Sequence, residues 1–222
     1  MRFIIHQQRY EKPIAAGQLR YERDGQPTGA VEQFRMTAAV DGYRFLRVDL
    51  DAQQAPSRRS TLYHMTLNPD GRPEQLKYRF WGDGLEISGT VVWETEQLTA
   101  LRTVNGTDYE EESNASAFWF PSAAGLSLLR PLAGADEPTS AVTLNQDTAV
   151  PEQAMALYRT EVSVQENEPY TFFVTGESYD ACGYEIRWDE QARRVWLHEN
   201  GWPLKVWRDD GLSAISTQLV IY

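Results

Sequence analysis

The 222-residue chain carries 32 acidic against 21 basic side chains, a formal charge of -11 that repels phosphate backbones and argues against nucleic acid as a partner. Hydrophobic residues make up 41% and aromatic residues 12%, which excludes a disordered chain and supplies apolar surface for one sizeable core. Cys182 is the sole cysteine, so an intramolecular disulfide and a cysteine-built metal cluster are ruled out and a reducing compartment fits.

In chain order, the first seven residues hold too short an apolar run for a signal peptide, and no window approaches the roughly 20 apolar residues of a membrane span. The expected location is cytoplasmic. Strand-like stretches follow at 17–23, 31–39 and 43–50. Over 61–67 Tyr63, Met65 and Leu67 share a face, and over 76–81 Leu76, Tyr78 and Phe80 do. The clearest half-buried strand sets Leu85, Ile87, Gly89, Val91 and Trp93 against Glu86, Ser88, Thr90, Val92 and Glu94. The acidic run at 108–112 reads as a solvated loop. Ser122 is placed to cap a short helix that Pro131 stops, and 131–148 reads as an exposed connection. Strands resume at 156–164, 170–175, 184–188, 195–199, 204–208 and 213–222. Asp-Gly and Asn-Gly pairs between these stretches, among them Asp70-Gly71 and Asn200-Gly201, tolerate positive φ and mark hairpins.

This grammar predicts a mainly β protein: a long antiparallel meander forming a strongly curved sheet or half barrel around one short helix, in a single domain spanning 1–222. Segments 70–85 and 200–212 both read as turn, strand, turn, strand. Either a hairpin unit is repeated or the two share turn chemistry alone.

The phrase Phe120-Pro-Ser-Ala-Ala-Gly-Leu-Ser-Leu-Leu-Arg-Pro131, set in this meander and followed by Leu157-Tyr158-Arg159, resembles the glycolipid-binding proteins of spiral β-roll type. More distantly it is similar to the lipoprotein-carrier-like half barrels. The likeness runs from about Tyr43 onward and implies a curved sheet wrapped on a helix, with an apolar ligand. Ala124 and a lone Arg130 stand where the family has an Asn and paired arginines, so no functional residue is carried over.

Phosphate-loop, HExxH, calcium-loop and Gly-x-Ser-x-Gly patterns are absent from the sequence. Three function classes remain. The first is a non-enzymatic binder of a lipid-like or other apolar small molecule on a concave aromatic-lined sheet, with Trp81, Trp93, Trp119, Phe120 and His64 as candidate lining. Core packing is the commoner use of such rings. The second is an enzyme or metal-binding protein with a strand-borne site around His64, helped by Glu86 and Glu94. The third is a structural or interaction module, for instance a homodimer. No cofactor is expected, no base is assignable to Cys182, and its thiol reads as buried and inert.

Overall fold

Alternation becomes strand almost wherever the sequence writes it. The computed structural model describes residues 2, 4–95 and 97–222. Eight strands come first: β1 (Lys12–Arg23), β2 (Gln26–Ala38), β3 (Arg44–Asp51), β4 (Ser60–Leu67), β5 (Pro73–Gly82), β6 (Leu85–Glu94), β7 (Gln97–Val104) and β8 (Thr107–Asn114). Then come β9 (Ala117–Phe118), the helix α1 (Ala123–Leu126) running into a 3-10 turn over Ser127–Leu132, and β10 (Thr139–Leu144). A 3-10 turn at Pro151–Gln153 leads into β11 (Leu157–Val174), β12 (Glu177–Trp188), β13 (Gln191–His198), β14 (Pro203–Arg208) and β15 (Leu212–Ile221).

Among the described residues these strands form one 15-stranded sheet in the order β8-β7-β6-β5-β4-β3-β2-β1-β15-β14-β13-β12-β11-β10-β9. Neighbours pair antiparallel except for the two-residue parallel bridge of β9 with β10. The first strand pairs with the last, Ala15 opposite Ile221 through Arg23 opposite Leu212. β8 and β9, adjacent in sequence, therefore stand at opposite ends of a curved sheet that is not closed into a barrel.

The concave side is the core, and rings fill it by touching one another. Trp119 meets Trp188 edge to face at 5.4 Å, Phe120 stacks on Tyr63 at 4.4 Å, and Phe34 stacks on Trp202 at 5.9 Å. The short helix is held in this interior by a charge. Glu32, fully buried on β2, accepts hydrogen bonds from the N–H groups of Ala123 at 2.9 Å and Ala124 at 2.8 Å, while Ser122 Oγ accepts from Gly125. These are donors that a helix N-terminus leaves without partners.

Two stretches differ from the sequence reading. The acidic run lies in strand β8, so pairing with β7 splits it: Asp108, Glu110 and Glu112 share one side, and Tyr109 and Glu111 the other. The stretch 131–148 contains β10, because Ala141, Val142 and Leu144 are buried against β9 and β11. The hairpins entering β5 and β14 do share one turn geometry. Gly71 N–H donates to Asn68 O and Asn68 N–H to Arg72 O, and likewise Gly201 N–H donates to His198 O and His198 N–H to Trp202 O.

Candidate functional site

On the convex side, the described residues before β1 touch β2, β3 and β5. Arg47 of β3 anchors them: its guanidinium donates to Ile5 O at 3.0 Å, to Thr37 Oγ1 at 2.8 Å and to Glu11 Oε1 at 2.9 Å. The Glu11–Arg47 pair is buried on both sides; burial raises the Glu11 pKa, and hydrogen bonds donated by Thr37, Arg47 and the Gln8 N–H outweigh it and hold the carboxyl below its ordinary value. Further along, Arg2 pairs with Asp49 at 2.9 Å and lies over the Trp81 ring at 5.5 Å.

His64 is buried on the convex side of β4 between Arg47 of β3 and Lys77 of β5, with the Phe45 ring of β3 at 6.1 Å. Burial pushes its pKa down to about 4, helped by the Arg47 charge and opposed by Glu11. Its Nδ1 is buried without a hydrogen-bond partner among the described residues. Glu86 and Glu94 do not approach it. Lys77, opposite His64, pairs with Thr90, and the two acids lie about 13 Å along β6 on either side of Thr90. Among the described residues no group of three or more His, Cys, Asp or Glu side chains is placed to hold a metal ion.

Beyond these contacts the convex side opens into a groove of about 780 Å³, within the usual range of small-molecule sites. Its floor is two transverse rows of paired residues. One runs Lys77, Thr90, Leu101, Glu110, and the other Arg79, Ser88, Thr103, Asp108. Ile4 and Ile5 add apolar surface from the segment before β1. The floor is basic on β5, hydroxyl-bearing in the middle and acidic on β8. Thr103 Oγ1 donates to Asp108 at 2.7 Å. Lys77 and Arg79 make no ion pair among the described residues; the carboxylates of Glu11 and Asp49 are taken by Arg47 and Arg2, and Glu86 stands diagonal to Arg79 on the same side of β6.

The five sequence candidates are thus divided between the two sides. Trp119 and Phe120 are interior, and Trp93 packs edge to face on Phe118 at 4.8 Å. Trp81 and His64 lie on the convex side, two residues from Arg79 along β5 and opposite Lys77 respectively. The groove itself was missed. Its signal was the polar parity of β5 and β6, Lys77 and Arg79 beside Ser88 and Thr90, which reads as an ordinary wet face unless strand pairing is known.

Cys182 corrects the expectation of a buried thiol, for it is exposed. β11 inserts extra residues between Asn167 and Tyr170 where it passes Gly183, whose absent Cβ would lie 2.4 Å from Glu168 O. The ribbon bends there, and its buried side changes from Tyr184, Ile186 and Trp188 to Ala181. Beyond the bend Phe172 meets Trp196 at 6.3 Å and Tyr179 meets His198 at 5.8 Å.

No family model and no curated protein matches the chain. Among solved structures it is similar to a Parabacteroides distasonis protein described as a "putative lipoprotein", with 6% identity and a TM-score of 0.34 over 94% of this chain and 96% of that one. A likeness at that level assigns neither family nor function.

Proposed function

We propose that this protein is a non-enzymatic binding protein whose ligand is a polar small molecule seated in the convex groove across β5 to β8. The observation that carries this is the contrast between the two sides of one sheet. The concave side is occupied by its own rings in mutual contact, whereas the convex side keeps an open groove of ligand size whose floor carries two cations with no ion pair among the described residues. A lipid-like ligand among Trp119 and Phe120 would have to part that packing, which makes the polar groove the better receptacle.

The test is a thermal-shift screen of neutral sugars, sugar acids, sugar phosphates, amino acids, short peptides and fatty acids against the wild type and Thr90→Trp. Thr90 is on the groove floor in mid-strand, where Trp fits the pleat well and fills the space. At least one polar compound raises the melting temperature of the wild type and leaves that of T90W unmoved. No stabilising polar compound, or equal stabilisation of both proteins, overturns the proposal.

A second reading, an interaction module, draws on Tyr170 and Phe173 near the β11–β12 turn, 61% and 80% exposed. It predicts a dimer in sedimentation at micromolar concentration that Phe173→Ser disperses. A wild-type monomer would remove it.

A further inference from the structure

The groove reading leaves the ligand's chemistry open, and the charge layout of the floor narrows it. Resting on that reading, we infer that the groove takes an anionic polyol, a sugar acid or sugar phosphate, with its acid group on Lys77 and Arg79 and its hydroxyls toward β8.

Lys77 and Arg79 alternate on one side of β5, so their stems stand about 7 Å apart, close enough to share one carboxylate or phosphate. In a chain of net charge -11 these two cations outnumber the one carboxylate diagonal to them, that of Glu86 two residues from Ser88 on the same side of β6, while Glu11 and Asp49 are engaged by Arg47 and Arg2. Two cations left facing an open groove are an anion site in charge and geometry. Three interstrand spacings away, about 14 Å, Asp108 and Glu110 offer only acceptors when ionised. A second acid group would be repelled there, while hydroxyl donors fit. Between the ends, Ser88 and Thr90 can donate or accept, Thr103, whose proton goes to Asp108, can accept, and Leu101, 57% exposed, offers an apolar contact for a C–H face. A fatty acid satisfies the β5 end and wastes the rest of the floor. A neutral sugar leaves the cations unused.

The experiment is calorimetry of the intact chain with glucuronate, glucose 6-phosphate, glucose and inorganic phosphate, each against wild type, Lys77→Ala/Arg79→Ala and Thr90→Trp. The inference expects glucuronate or glucose 6-phosphate to bind the wild type at least about tenfold more tightly than glucose or phosphate, and the double variant to lose about tenfold or more. Circular dichroism of the double variant confirms folding, since both side chains leave the core untouched. If the panel of the preceding section yields a groove ligand that is a neutral sugar, amino acid or peptide, or one indifferent to K77A/R79A, the ligand class is wrong and the groove stands. If no anionic or neutral compound distinguishes the wild type from T90W, both fall.

Discussion

Glu32 on β2 and Ala123 at the head of the helix are 91 residues apart in sequence and joined by one hydrogen bond of 2.9 Å, in which a buried carboxylate accepts from a backbone N–H. The same carboxylate also accepts from Ala124 and from the Tyr21 hydroxyl, the latter at 2.6 Å. Burial raises the Glu32 pKa despite these bonds, and burial with the adjacent carboxylate pushes the Tyr21 hydroxyl far up. Glu32→Ala strands three buried donors and is expected to lower stability by about 3 kcal/mol or more in urea unfolding, whereas Tyr21→Phe removes one donor and lowers it by about 1–2 kcal/mol. Equal effects would mean that the helix is held by packing alone.

The two ends of the open sheet are tied by side chains instead of a strand ladder. Arg102 of β7 is buried, donates to Ala154 O at 3.1 Å and Glu152 O at 2.8 Å, and pairs with Glu111, which also accepts from Leu157 N–H at 2.7 Å. Arg102→Ala leaves those carbonyls and the carboxylate without their partner, at about 3–5 kcal/mol. Hydrogen exchange should then quicken at Leu157 and along β8 more than along β2. A uniform change would contradict the tie.

Gly89 faces Tyr78 across the β5–β6 pair, and a Cβ at residue 89 would lie 2.3 Å from the Tyr78 ring. That ring cannot step aside freely, because its hydroxyl donates to Met155 O at 2.9 Å. Gly89→Ala is therefore expected to lose about 1–3 kcal/mol, with Gly89→Ala/Tyr78→Phe less than additive. Additivity in the urea midpoints would show that the ring already has room.

Most of the fold was legible because one side of most strands is apolar: Tyr63, Met65 and Leu67, or Leu76, Tyr78 and Phe80, announce both strand and core. β8 was illegible as a strand because its alternation is acid against acid, and an edge strand needs little apolar content when charge serves to keep it from pairing further. His64 looked like a residue of a wet face because nothing in its own strand shows that Phe45 and Arg47 of β3, with Glu11, crowd it. The groove depends on cross-strand register, and parity within one strand does not supply it.

His64 sets an acid limit. The unfolded imidazole takes up a proton near 6.5, and the folded one only near about 4, so below 6.5 the unfolded state binds more protons and stability falls with falling pH until about 4. The full loss is about 3 kcal/mol. Glu11, whose pKa is lowered, adds a loss in the same direction at lower pH. His64→Phe should flatten the decline of the urea midpoint between pH 6.5 and 4. Parallel curves for wild type and H64F would contradict it.

The groove is tested most directly by mapping where a ligand lands. In backbone amide and indole spectra of the intact chain, saturation with glucuronate should shift Lys77, Arg79, Ser88, Thr90, Leu101 and Thr103 and leave the indoles of Trp119 and Trp188 in place. Shifts centred on those two indoles, whether with glucuronate or with palmitate, would put the ligand inside the sheet and contradict the convex groove.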